Sequence, residues 1–123
     1  MRIKLTIGKL VVFCQLNDSQ TAKLIWNSLP ITSKAELWGE EVYFYIKPKM
    51  YVEKKYAKDV VEVGDLAYWP TGPCMCLFFG MTPNSREGKI MPASKVNVFG
   101  KIEDDPEILA MVKEGQVVNV ERA

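Results

Sequence analysis

From its second residue onward the chain is cut into short runs in which apolar and polar residues alternate, and nearly every run stops at a glycine or a proline. A period of two marks a strand with one buried face. The first hairpin is the clearest case. Ile3, Leu5 and Ile7 alternate with Arg2, Lys4 and Thr6, then Gly8-Lys9 fits a two-residue turn with glycine first, and Leu10, Val12, Cys14 and Leu16 resume the pattern. Ile31, Ala35 and Leu37 alternate with Thr32, Lys34 and Glu36 until Gly39. Val42, Phe44 and Ile46 alternate with Tyr43 and Tyr45, supplying both faces of a strand that Pro48 ends. Val61 and Val63 lead through Gly64-Asp65 to the run Leu66 to Trp69, and Pro70-Thr71-Gly72 reads as a turn. Residues 74–79 are an apolar run of strand length, 80–92 a loop, and Val96, Val98 and Ile102 alternate once more before Val118 and Val120 close the chain.

Two stretches break this rhythm. Residues 17–19, Asn-Asp-Ser, offer a helix N-cap, after which Ala22, Ile25, Trp26 and Leu29 recur at helical spacing until Pro30. Asp105 is a second N-cap with Pro106 at the first helical position, Ile108, Leu109 and Val112 as apolar face, and Gly115 beyond the end.

About eight strands in runs, with two short helices, argue against a doubly wound parallel sheet, in which the two element types alternate. A mainly β, closed or nearly closed barrel with helices plugging its mouths removes exposed strand edges. Periodicity alone fits a two-sheet sandwich equally. The 123 residues make one domain, 1–123, with 48% apolar and 25% charged residues, so the chain is neither disordered nor a membrane span. Met1-Arg2 runs straight into the first strand, leaving no secretory signal, and the expected location is the cytoplasm.

The absence of histidine removes the commonest general base and metal ligand. Cys14, Cys74 and Cys76 are read as small buried hydrophobes in a reduced protein. The alternative is a thiolate metal site, since Cys74 and Cys76 share one strand face. No metal or cofactor is expected. Adjacent Glu40 and Glu41 point to opposite faces of a strand and cannot share a substrate easily. A solvated strand start with one carboxylate bonded to backbone is the simpler reading, the other being a carboxyl buried beside Trp38 with a raised pKa. Residues 47–58 carry five lysines, one glutamate and the interleaved Tyr51 and Tyr56, a pattern suited to single-stranded nucleic acid. A net charge of +1 and a pI of about 7.6 argue against that partner and favour lysines guarding a strand edge. Tyr68-Trp69-Pro70 and Phe78-Phe79 suggest an aromatic-walled groove, with Trp69 and Phe79 at its rim.

Gly64-Asp65, Gly72-Pro73, Pro83-Asn84 and Val98-Phe99-Gly100-Lys101-Ile102 resemble the cyclophilins. Trp38-Gly39-Glu40-Glu41-Val42-Tyr43-Phe44, Gly64-Asp65-Leu66-Ala67-Tyr68-Trp69-Pro70 and Phe78-Phe79-Gly80 before Thr82-Pro83 are similar to a small prokaryotic cyclophilin-like family, distant from the peptidyl-prolyl isomerases. The resemblance implies an eight-stranded antiparallel barrel capped by two short helices. It also implies a location for the isomerase groove, but no isomerase signature residue is retained in type. Lys54 falls near the position of the amide-polarising arginine, Glu62 at that of a glutamine, Asp59 near a pocket phenylalanine, and Met91 and Val96 near a tryptophan and a histidine. Lysine keeps the charge but lacks a planar fork of donors.

The leading expectation is therefore a binding domain without catalysis. Its ligand, an unidentified small molecule or proline-containing peptide, would meet Lys54 as charge, with Trp69, Phe79, Met91 and Glu62 around it. The alternatives are a degenerate prolyl isomerase using the same groove and a nucleic-acid module using 47–58.

Overall fold

The computed structural model describes all 123 residues. Ten strands form one antiparallel sheet. In chain order they are β1 (Arg2–Ile7), β2 (Leu10–Leu16), β3 (Ile31–Lys34), β4 (Glu36–Leu37), β5 (Glu41–Tyr45), β6 (Ala57–Lys58), β7 (Asp65–Trp69), β8 (Cys74–Phe78), β9 (Val96–Ile102) and β10 (Val117–Arg122). Helix α1 (Gln20–Ser28) follows β2, and a 3-10 helix, Pro106–Met111, precedes β10. No helix is long and apolar enough to cross a membrane.

The spatial order is β3-β10-β1-β2-β9-β7-β8-β5-β4, with β6 paired to β9 off this path. The two ends of that order are consecutive in the chain, separated by Ala35 alone. The run 31–37 is one bent strand: β3 pairs with β10 and β4 with β5. At the bend Ala35 donates its N–H to Gln116 O and its own carbonyl accepts from Gly115 N, both at 2.8 Å. Across the remaining seam the Ser33 hydroxyl donates to Tyr45 O at 2.7 Å. The sheet thus closes almost completely into a barrel, and counting β3 and β4 as one strand leaves eight around it.

Alternation places Ile3, Leu5, Val12, Phe44, Met75 and Leu77 inside the barrel. The helices plug its mouths as the sequence indicated. Ala22 and Ile25 of α1 reach the interior, and the Ser19 hydroxyl caps the helix by accepting from Ala22 N at 3.0 Å. Leu109 and Val112 enter from the second helical segment. That segment is a 3-10 turn rather than an α-helix. It has only six residues, and Asp105 and Val112 already cap its two ends.

A second apolar cluster lies on the outside of the sheet, where Cys74, Cys76 and Phe78 meet Ala67, Ile90 and Val96. This explains the unbroken apolar run 74–78, since β8 is buried on both faces. Register keeps the two clusters apart. Gly100 pairs with Leu66 and Val98 with Ala67, so Phe99 is the extra residue of a bulge that turns its ring inward while Val98 stays outside.

The lysine-rich stretch is tied down on its inner side. Glu53 accepts from Gln20 N at 3.1 Å and Thr21 N at 2.7 Å, supplying a carboxylate to the first turn of α1. Buried Asn97 accepts from Glu53 N at 2.7 Å and donates to Tyr51 O and the Thr21 hydroxyl. Tyr68 reaches from the barrel interior to donate to Pro48 O and accept from Met50 N.

Candidate functional site

The outer face of β5 carries Glu41, Tyr43 and Tyr45 in alternate positions, opposite Phe78, Cys76 and Cys74 of β8. Beyond β8, Trp69 stands opposite Cys74. Of these, Glu41, Tyr43, Tyr45, Cys76 and Trp69 form the floor and one wall of a cavity of about 260 Å³. The opposite wall is Pro92, Ala93 and Val96, at the end of the loop between β8 and β9. Trp38 closes one end.

Several local bonds hold these pieces in place. Trp38 and Glu41 flank the two-residue turn Gly39-Glu40 and exchange both backbone bonds, at 3.0 and 3.2 Å. Gly39 has φ +59°, and a Cβ there would lie 2.8 Å from Met81 O, so the turn both needs and contacts what glycine permits. Glu40 points away from the cavity and latches the loop after β8: its N–H donates to Met81 O at 2.8 Å and its carboxylate accepts from Met81 N at 3.2 Å. Farther along that loop, buried Thr82 bonds Met91 O, and Ser85 Oγ accepts from Thr82 N and Met91 N at 2.9 and 3.1 Å. The Trp69 indole N–H donates to Ser94 Oγ at 2.6 Å, tying the ring to the same loop.

Glu41 decides the electrostatics. It is 5% exposed and forms no salt bridge; the chain's five ion pairs all lie elsewhere. Burial pushes its carboxyl up from the usual 4.5 to about 7, a rise only partly offset by the neighbouring Cys76 thiol. Burial also raises the Cys76 thiol well above its ordinary range, and the charge of Glu41 adds to that rise. Seven of the nine lining residues are hydrophobic, and Glu41 supplies the one carboxylate in an aromatic surround.

The residues anticipated from sequence are dispersed. Trp69 lines this cavity. Met91 lines a neighbouring depression with Asp59 and Arg86, sharing only Pro92 and Ala93 with it. Phe79 packs half-buried against the barrel interior. Glu62 is exposed and bonded to Lys101 at 2.9 Å. Lys54 is exposed on the turn before β6 and is not among the lining residues. Of the other aromatics in the anticipated groove, Tyr68 lies inside the barrel and Phe78 in the outer cluster.

The cysteines are all buried and free, but Cys14 faces the interior while Cys74 and Cys76 face outward, so the sheet separates them. Of the two glutamates, Glu40 takes the solvated, backbone-bonded role, whereas Glu41 departs from it and is buried, because the β8–β9 loop lies over the Glu41 end of the outer face of β5 while Tyr45 at the other end stays exposed. The cavity's own residues carried a legible signal: Glu41, Tyr43 and Tyr45 at period two place a carboxyl and two rings on one face.

A small antiparallel barrel, plugged at both mouths and carrying its cavity on the outer face under a long loop, defines the class of fold. The chain belongs to the Cyclophilin-like family, whose model matches residues 1–121. It is similar to the hypothetical protein AF2241 from Archaeoglobus fulgidus, at 41% identity over all of this chain and 95% of that one, with a TM-score of 0.84. McbB, solved in complex with tryptophan, shares the fold at 16% identity and a TM-score of 0.69; the match covers 98% of this chain and 44% of McbB. No curated protein matches the chain.

Proposed function

We propose that this domain binds a small ligand in the outer cavity bounded by Trp38, Glu41, Tyr43, Tyr45 and Trp69. The observation that carries this reading is a ligand-sized apolar cavity of about 260 Å³ with one buried, unpaired carboxyl in its wall. Soluble domains bury a carboxyl without a cation at a cost, and such a group set among aromatic rings is a feature of recognition sites rather than of cores. The reading is of binding without turnover. An isomerase must lower a barrier of ~18–20 kcal/mol by donating to the amide. Lys54, the cation nearest in sequence position to that role, is exposed and outside the cavity lining.

A nitrogen-15 NMR screen against small neutral aromatics, heterocycles and N-acetylproline amide tests the proposal. Amide shifts clustered on Tyr43, Cys76, Trp69 and Val96, and lost in Trp69→Ala, are expected. Hits that cluster anywhere else, or that survive Trp69→Ala unchanged, overturn it.

A further inference from the structure

We propose that the ligand of this cavity is an organic ammonium ion, its charge set against the Glu41 carboxylate and its alkyl groups against the rings of Trp38, Tyr43, Tyr45 and Trp69. This rests on the reading of the cavity as a binding site and names the chemical class of its occupant.

The first ground is charge. Nine residues line the cavity, and none is lysine or arginine. Glu41 therefore faces the cavity with no cation of its own chain along the lining, and the Cys76 thiol stands beside it. A desolvated carboxylate is stabilised strongly by a partner of opposite charge, and here that partner has to come from outside. An anionic ligand would meet the opposite, a like charge in a low-dielectric wall.

The second ground is the kind of wall. Four of the nine lining residues are Trp or Tyr. Tyr43 and Tyr45 meet edge to face, with ring centroids 6.1 Å apart and planes at 75°, so they turn a corner rather than stack flat. Trp69 is held from the other side by Ser94. Rings that face a cavity from several directions attract a soft cation through their quadrupoles, and tryptophan does so best. A neutral aromatic ligand would use the rings but leave the carboxylate uncompensated.

The third ground is that Glu41 titrates alone. The ionisable groups around it are the Cys76 thiol and, farther off, Cys74 on β8, Tyr43 and Tyr45 on its own strand, and Glu36 on β4, which acts on Tyr43, Tyr45 and Cys74. The two thiols and the hydroxyls of Tyr43 and Tyr45 are all pushed up, Cys74 to about 12, and stay neutral near pH 7. No titratable side chain reaches the cavity from β7 or from the β8–β9 loop.

Choline and its uncharged carbon isostere 3,3-dimethyl-1-butanol, titrated at pH 8 with the same NMR readout, test the inference. Choline is expected to bind about tenfold more tightly than the isostere. In Glu41→Gln the preference should collapse. Calorimetry near pH 7 in buffers of different ionisation enthalpy should register proton release as choline binds, because the cation favours the ionised carboxyl. A peptide carrying trimethyllysine, run in parallel, separates a free ammonium from one borne on a side chain; tighter binding of either supports the chemistry and names the source. Equal or tighter binding of the isostere overturns the ammonium inference while leaving the cavity a binding site. No binding of any probe or screened neutral compound at the cavity removes both.

Discussion

Trp38 and Glu41 face each other across a two-residue turn and exchange both backbone hydrogen bonds, at 3.0 and 3.2 Å. Directly opposed residues of a hairpin project to the same side of the sheet. A ring and a carboxyl are thus delivered together to one cavity by four consecutive residues, while Glu40, between them, is turned outward to hold the β8–β9 loop. The turn sets both the floor and, through Glu40 and Met81, the root of the opposite wall.

Because the Glu41 pKa is raised in the fold, the native state binds a proton that the unfolded chain has already lost between about 4.5 and about 7. Its contribution to stability is complete below the lower value and is lost as pH rises through the upper one. Wild type should therefore lose up to about 3 kcal/mol between pH 5 and pH 8 on account of this group. Glu41→Gln should flatten that slope and be the more stable protein at pH 8. Urea unfolding at several pH values measures both; a slope unchanged in the variant would show that Glu41 ionises freely in the fold.

Gly39→Ala places a methyl 2.8 Å from Met81 O at a φ of +59°. Strain of this kind costs on the order of 1–3 kcal/mol. The loop must give way, so amide shifts should extend from residue 39 through Met81 to Ala93. A variant as stable as wild type, with shifts confined to the turn, would mean that the loop is not rooted there.

Asn97 is fully buried and bonds Glu53 N, Tyr51 O and the Thr21 hydroxyl at once. Asn97→Ala leaves these groups without partners, at about 1–3 kcal/mol for each that water does not reach. Hydrogen exchange should accelerate in residues 47–58 and the first turn of α1 before it does in β1 and β2. Uniform acceleration across the barrel would place Asn97 in the global core instead.

Lys54 stands exposed and apart from the cavity. Lys54→Ala should leave ligand binding at the cavity within twofold of wild type, and X-Pro peptides should isomerise equally fast with either protein. Acceleration by wild type that the variant abolishes would restore Lys54 to a catalytic groove.

Much of the barrel was legible because strands announce themselves locally. The turn at Gly8-Lys9, the helix after Ser19 and the apolar run of β8 each follow from residues a few positions apart. The site was legible only in part. Trp69 could be read as a rim aromatic, and one of the two glutamates as a buried group beside Trp38, but which glutamate was settled by the cover over β5. Lys54, Glu62 and Met91 were grouped by sequence position relative to a family pattern and Phe79 by its place in an aromatic run, and neither signal carries information about which side of the sheet, or which loop, a side chain ends on.

Alternation, turn chemistry and helix punctuation are properties of neighbouring residues, and by themselves they determined a mainly β domain of about eight strands with two helical plugs, including the shared face of Glu41, Tyr43 and Tyr45. Closure at Ala35, the second apolar cluster outside the sheet and the loop that walls in Glu41 are meetings of segments tens of residues apart. Only the tertiary structure could decide them, because the same alternating strand exposes its outer face to water or buries it according to what the rest of the chain lays across it.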